Sequence, residues 1–498
     1  MQAGCRRFES GQLHEKRSST STFLLLLRCR YRRWTSNWQS AACVREFGQP
    51  FQVTTAATEV WSGSQLEHGL KRYCRSVQTA NLSSVSAAAY TPRLVDNPLA
   101  ELFDQLPALL LVGPRAAGKT TTARRLARSV VRLDVPAEAA AFRFDADAAL
   151  RAMTPPVLLD EWQEVPELMG AVRRAVDEDS RPGRFLLTGS ARPRRGSSAW
   201  SGIGRVIQLK MCGLTEREIV GRSDGAGFVD RLRTADLAMF PAPANPPDLR
   251  GYIELALRGG FPEPALRLVG AARQLWLDSY VDQLVTRDAE SLDGVRDPVL
   301  FRRYFEALCV NTAGLVDDKT VYDAAGISRM TAGAYERLLA EMGVFEALPA
   351  WSNNRFSRLV KGSKRYMVDT SLVAAALRLD ERAVLRDGDL LGRLIDTFVV
   401  SQVRPEAELS HLRPRLYHLR EKEGRHEIDL LVEMAGGEVV AVEIKATASP
   451  DSGDARHLAW LRDQLGPRFI AGAVLHTGPR PFSLGERILA IPVCSLWN

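Results

Sequence analysis

The sequence predicts an α/β protein: a parallel sheet with its helices, then a helical region, then a second α/β unit. Three observations predict it. The apolar run Ala108–Val112 leads into Gly113-Pro114-Arg115-Ala116-Ala117-Gly118-Lys119-Thr120-Thr121 and then into a good helix former at 121–128. Two more apolar runs, 157–159 and 185–187, end in polar residues and alternate with helix-forming sequence, as parallel strands joined by helical crossovers do. Two later strand-type runs, Glu427–Glu433 and 439–444, flank a Gly436-Gly437 turn.

A length of 498 residues predicts about three domains. Hydrophobic content of 45% and charged content of 25% are ordinary for a globular chain. No apolar stretch reaches the ~20 residues that span a bilayer. The early run Phe23-Leu-Leu-Leu-Leu27 is short, and Arg28, Arg30, Arg32 and Arg33 follow it, where a signal peptide would be cleaved. The expected location is cytoplasmic, with no membrane partner. The seven cysteines form no C-x-x-C pair or zinc-ligand spacing. The net charge of +7 is local: residues 1–90 carry 12 Lys+Arg against 5 acidic residues, and the remainder is neutral. The basic pI therefore does not point to nucleic acid for the rest of the chain.

The expected domains are 1–85, 86–225, 226–298, 299–368 and 369–498. Residues 1–85 show no periodicity, repeat or motif and are expected to be disordered. A targeting arm, a basic tail and an extension from a misplaced start codon compete there, and the composition favours the last. Order is expected from near Tyr90, with a helix at 98–106 before the first strand. The prolines at 241, 243, 246 and 247 mark a linker, and 250–290 reads as helical.

The stretch 113–121 matches G-x-x-x-x-G-K-[ST] without a mismatch, in the strand–loop–helix context the P-loop needs. Its glycines let backbone N–H groups wrap phosphates, and the following helix adds its positive dipole end. Lys119 is expected on the β- and γ-phosphates of ATP, and Thr120 on Mg²⁺, a hard ion that prefers oxygen.

The apolar strand at 157–159 ends in Asp160 and Glu161, at the strand edge where open α/β sheets bind ligands. Asp160 is expected to hold Mg²⁺ with Thr120, and Glu161 to polarise the attacking water. In the stretch Arg184-Phe-Leu-Leu-Thr188-Gly-Ser190, Thr188 or Ser190 is expected to sense the γ-phosphate. Phosphoryl transfer also gains from a cation on the developing charge. Arg205 is the first candidate, with Arg192, Arg194, Arg195, Arg93 and Arg115 as alternatives.

Together these segments resemble a family of bacterial and archaeal AAA-type ATP-binding proteins that carry a C-terminal domain of unknown function. The resemblance rests on G-P-R-A-A-G-K-T-T, L-L-D-E-W-Q-E-V-P-E-L, F-L-L-T-G-S-A and G-R-V-I-Q-L. It continues through Gly259-Gly-Phe-Pro-Glu263, Tyr280, Arg287-Asp288, Lys364-Arg-Tyr-Met-Val-Asp369 and Glu443-Ile-Lys445, and so covers roughly 88–498. It implies an ATPase related to the AAA+ class and no settled cellular role. Met211-Cys212-Gly213 departs from it where a proline is usual, and Asp396 where a glutamate is expected.

Residues 299–350 read as a helix-turn-helix with a wing: helices at 301–310 and 319–325, a turn at Gly326-Ile-Ser, and a recognition helix at 329–342. That helix offers Arg329, Thr331, Tyr335 and Arg337 to a DNA groove. The strand at 344–347 and the basic stretch 355–364 would form the wing. The competing reading is a packing or protein-contact module.

Finally, Asp429 near one strand end and Glu443-x-Lys445 on the next strand form the core pattern of a restriction-endonuclease-like fold. Strand alternation turns Glu443 and Lys445 to one face. Asp429 and Glu443 could hold Mg²⁺ with Lys445 on the attacking hydroxide, and Asp396 could add a ligand. A degenerate scaffold competes with an active nuclease. The expected function is an Mg²⁺-dependent ATPase, a switch or motor coupled to double-stranded DNA or a protein partner and able to form homo-oligomers. An ATP-gated nuclease and a non-catalytic ATP-binding scaffold are the alternatives.

Overall fold

The computed structural model describes residues 90–189, 204–288, 297–354, 358, 362–421 and 425–498, all within the compact unit Ser62–Asn498. The expectations for residues 1–85, Ser190, Arg192, Arg194 and Arg195 lie outside the described residues, as does most of the basic stretch 355–364. Among the described residues no helix is long and apolar enough to cross a membrane.

The first sheet contains β1 (Ala108–Val112), β2 (Ser129–Arg132), β3 (Val157–Asp160), β4 (Phe185–Gly189) and β5 (Ile207–Lys210), in the order β2-β3-β4-β1-β5. Every pairing is parallel. Helices cover both faces, so the strands read as unbroken apolar runs rather than alternating ones. Leu110, Leu159 and Leu187 pack on one face with Trp162 and Val172. Leu109, Leu111, Leu158 and Leu186 pack on the other with Leu99 and Phe103. Each such leucine contributes roughly 2 kcal/mol by its burial.

The order has a direct consequence. Strand β4 lies between the P-loop strand β1 and β3. Leu159 pairs with Leu187 and Leu111 with Thr188, so Asp160, Thr188 and the loop after Val112 meet at one edge of the sheet.

The helix expected at 98–106 is Asp96–Phe103. The stretch 226–298 is more than a linker and helices. Phe228, Val229, Leu232 and Phe240 are buried in the same core as Tyr252, Phe301, Phe398 and Trp497. The prolines at 241–247 follow directly on Phe240, a member of this packed apolar cluster.

Helices Pro298–Val310, Asp318–Ala325 and Arg329–Glu341 follow. Asp297 caps the first through Val299 N and Leu300 N. Gly326, at φ 70°, ends the second, a conformation glycine reaches without strain. Ser328 caps the third through Thr331 N at 3.1 Å. An antiparallel hairpin of β6 (Phe345–Leu348) and β7 (Lys364–Met367) completes this module. Tyr335 corrects the expectation for the third helix. It is buried, with its ring 4.9 Å from that of Phe301, and is not available to a groove. Arg329 and Arg337 are exposed.

The long helix Gly388–Leu409 leads into the second sheet. Its strands β8 (Arg415–Arg420), β9 (Glu427–Glu433) and β10 (Val439–Lys445) form an antiparallel meander. Helix Arg456–Leu465 then crosses to β11 (Phe469–His476), parallel to β10. Strands β12 (Phe482–Gly485) and β13 (Ile488–Pro492) close the edge, giving β12-β13-β11-β10-β9-β8. This is the mixed α/β domain the sequence predicts.

Candidate active site

The loop 113–118 is shaped by contacts that need glycine. A Cβ on Gly113 would fall 1.9 Å from the Met211 carbonyl oxygen, and Gly118 adopts φ 97° at the start of helix Lys119–Arg124. The Lys119 side chain is buried, and its ammonium donates to the carbonyls of Gly113 at 3.1 Å and Pro114 at 2.9 Å. Burial pushes its pKa down to about 8, against the pull of Glu161 and Asp160. The loop thus holds its lysine ready, on acceptors that phosphate oxygens can replace.

Asp160 is the meeting point. Its Oδ1 accepts from the Thr120 hydroxyl at 2.8 Å and from the Thr188 hydroxyl. The Thr120 and Asp160 oxygens form a hard donor pair, which suits Mg²⁺. Glu161 follows with φ 54°, a left-handed backbone that costs a non-glycine residue about 1 kcal/mol and tends to mark functional sites. Gln163 donates to its Oε2 at 2.5 Å. Burial raises the Glu161 pKa against the opposing pull of Gln163 and Lys119, the direction that makes a carboxylate a better base.

These groups open onto a cavity of about 550 Å³, lined by Lys119, Thr120, Glu161 and Arg93 and also by Tyr90, Pro262, Arg267 and Trp276. The size suits a nucleotide. The far wall comes from helices Pro262–Leu266 and Gly270–Gln283, and the Tyr280 hydroxyl donates to the Arg115 carbonyl at 3.2 Å. No chemical role for this wall was legible in the sequence. Two parts of the resemblance fall on it, Tyr280 and Gly259-Gly-Phe-Pro-Glu263, and the glycines of the second let the chain pass closely: a Cβ on Gly260 would fall 2.1 Å from the Leu214 carbonyl oxygen.

The arginine candidates separate. Arg205 is held by Asp177 at 2.7 Å at the surface and is not part of the cavity lining. Arg93 is buried, donating to the carbonyls of Ala117, Cys212 and Gly213 and, at 2.9 Å, to Glu218. It braces the loop. Glu218 also closes a capping box with Thr215. The backbone of the adjoining Glu216 donates to Gln402 at 2.7 Å, and Arg217 pairs with Glu406 at 2.7 Å. A continuous polar path therefore runs from the P-loop to helix Gly388–Leu409.

In the C-terminal domain, Asp396, Asp429, Glu443 and Lys445 do meet, but not as an open cation site. Lys364 on β7 inserts its ammonium 2.6 Å from Asp396 and 3.0 Å from Asp429. The Tyr366 hydroxyl donates to Asp396 at 3.0 Å, Ile444 N to Asp429 at 2.9 Å, and Lys445 to Glu443 at 2.7 Å. Burial works against the Lys364 charge, yet the two aspartates hold its pKa well above the ordinary value. Burial raises Asp396 to about 6 and Glu443 to about 8. A lysine ammonium thus lies between Asp396 and Asp429, two of the three carboxylates expected around Mg²⁺, and no group of three or more His, Cys, Asp or Glu placed to hold a metal ion occurs among the described residues.

Residues 105–220 match the AAA domain family. Residues 249–383 match a domain of unknown function, DUF8612, and residues 391–496 another, DUF4143. Uncharacterized proteins of Mycobacterium tuberculosis and Mycobacterium bovis are each 29% identical over 399 residues, covering 79% of this chain and 82% of theirs. A Walker-type ATPase of Pyrococcus abyssi is 14% identical, with a TM-score of 0.34 over 61% of this chain and 100% of that one. The P-loop thus lies in a segment that matches the AAA domain family, and a segment that matches DUF4143 follows it in the same chain.

Proposed function

We propose that the chain binds ATP with Mg²⁺, hydrolyses it, and uses the cycle as a switch acting on DNA or a protein partner. The observation that supports this most is the convergence of the Thr120 and Thr188 hydroxyls on one Asp160 oxygen, beside buried Lys119 and strained Glu161. On nucleotide binding, Lys119 exchanges the Gly113 and Pro114 carbonyls for phosphate oxygens. Thr120 and Asp160 would hold Mg²⁺, which supplies charge neutralisation at the phosphates. Glu161 takes the proton of the attacking water. Thr188 fixes Asp160 and reports the state of the γ-phosphate through it. With Arg205 outside the cavity lining, Arg267 on the cavity wall, 3.3 Å from Glu263, and Arg115 in the loop become the in-chain candidates for the cation on the transferring group.

The switch reading draws on the path from Ala117 through Arg93 and Glu218 to Gln402 and Glu406. The test is Mg²⁺-dependent ATP turnover with and without duplex DNA. Lys119→Ala should abolish binding and turnover. Glu161→Gln should keep ATP binding and lower turnover by at least ~100-fold, the scale of general-base loss. Turnover that survives both substitutions would remove the assignment.

A further inference from the structure

The C-terminal sheet carries a second cavity, of about 1030 Å³, at the end of the β9–β10 hairpin away from Asp429 and Glu443. Four strand positions separate Asp429 from Glu433, roughly 13 Å at the rise of a β-strand. The walls include Arg358, Arg413, Arg415 and Arg468, and among the described residues the only carboxylate lining it is Glu433.

That carboxylate is already committed. Arg358 takes both of its oxygens, at 2.6 and 2.9 Å, and the Trp351 indole donates to it at 3.2 Å. Glu433 is also the cross-strand partner of Arg415 in the sheet register. Arg415 therefore lies opposite a carboxylate that another arginine has neutralised. Arg413 and Arg415 are exposed and make no side-chain hydrogen bond or ion pair among the described residues. Arg413 is further held at φ 49°, beside Pro414, which narrows the backbone choices between the two arginines. The half-exposed Arg468 donates to the Gly437 carbonyl at 3.1 Å and to Asn353 at 3.3 Å, which fixes its guanidinium at the rim.

We propose that this groove binds the phosphodiester backbone of nucleic acid without reading its sequence. The lining carries a surplus of three positive charges over one carboxylate. Arginine forks suit phosphate oxygens. Among the described residues the lining holds one aromatic ring, Tyr417, which is buried with the Arg358 guanidinium 5.0 Å from its centre and so is not offered for base stacking. Phosphate contacts of this kind give affinity and salt dependence but no sequence preference. The inference names a partner class for the switch proposed above. It is tested without ATP, so its failure and the failure of the ATPase reading are separate results.

The test uses fluorescence anisotropy of the full chain with a labelled duplex and with one of its single strands, across a salt series. The double variant Arg413→Ala/Arg415→Ala changes only exposed side chains. It should raise Kd about tenfold or more. It should also flatten the slope of log K against log salt by about 1.8 on duplex or about 1.4 on single strand. The stronger arm identifies which form of nucleic acid the groove fits. A second variant, Arg329→Ala/Arg337→Ala, should leave that slope in place. An unchanged slope in the first variant, loss confined to the second, or no binding by the parent chain would each overturn the proposal. An unchanged thermal melt in the first variant establishes that its loss of binding is not unfolding.

Discussion

The Lys364 ammonium lies 2.6 Å from the Asp396 carboxylate, in a site where both side chains are at least nine-tenths buried. The lysine comes from the β6–β7 hairpin and the aspartate from helix Gly388–Leu409, so the three-helix module and the DUF4143 domain are joined by a desolvated charge. Asp429, at 3.0 Å, shares the same ammonium.

Removing that lysine should be expensive. Lys364→Met would leave two buried aspartates without a counter-charge, and breaking a buried pair from one side costs about 3–5 kcal/mol. Replacing Asp396 as well, in Lys364→Met/Asp396→Asn, removes one of the stranded charges and should recover part of the loss. Urea denaturation of the three chains measures both. A single variant as stable as the parent would show that the ion pair is dispensable.

Glu443 gives stability a pH dependence. Its Oε2 has no hydrogen-bond partner among the described residues, and burial, with Asp429 nearby, raises its pKa to about 8. The folded value lies above the unfolded one of about 4.3, so the folded chain holds a proton that the unfolded chain has released. The associated stability is complete below about pH 4.3 and is lost as pH rises through about 8, with a slope of up to about 1.4 kcal/mol per pH unit. Asp396, raised to about 6, acts in the same direction but at lower pH. Between about pH 6.5 and 8.5, Glu443→Gln should therefore flatten the slope measured by chemical denaturation. A parent chain equally stable across that interval contradicts a protonated Glu443.

Lys119 gives nucleotide binding a pH dependence of its own. With its pKa lowered to about 8 by burial, the empty loop loses its ammonium as pH rises through that value, and ATP favours the charged form. ATP affinity should fall above about pH 8, and binding near that pH should take up a fraction of a proton. Titration calorimetry in two buffers of different ionisation enthalpy reads the uptake. Flat affinity from about pH 7 to 9 with no uptake would separate Lys119 from the phosphates.

The parts legible in the sequence are those whose signal is local. The P-loop reads directly because its glycines and Lys119 answer to backbone geometry within nine consecutive residues. Asp160 and Glu161 read because an apolar strand must end at the sheet edge, and Thr188 because a further apolar run ends in it. The arginines do not read this way. Nothing near Arg205 in sequence indicates that Asp177 holds it, and Arg93 finds Glu218 across 125 residues. Tyr335 fits the pattern of a reading helix, yet its phase on that helix turns the ring toward Phe301. Asp429, Glu443 and Lys445 were recognisable as a pattern, but the lysine that closes it enters from a hairpin 65 residues before Asp429.

Arg93 offers a test of the path from the nucleotide to the C-terminal domain. It joins the Ala117 carbonyl of the P-loop to Glu218, and the helix of Glu218 contacts Gln402 and Glu406 through its neighbours Glu216 and Arg217. Arg93→Lys keeps the charge but loses the planar fork that reaches several acceptors at once. It should weaken ATP binding by about tenfold, the cost of one charge-assisted hydrogen bond. It should also weaken the link to helix Gly388–Leu409. In the parent chain ATP should slow hydrogen exchange in that helix, and in Arg93→Lys, at saturating ATP, the slowing should be reduced or absent. Full protection in the variant would mean that the signal travels by another route, such as the wall formed by Pro262–Leu266. Protection lost only in proportion to ATP occupancy would reduce Arg93 to a binding residue.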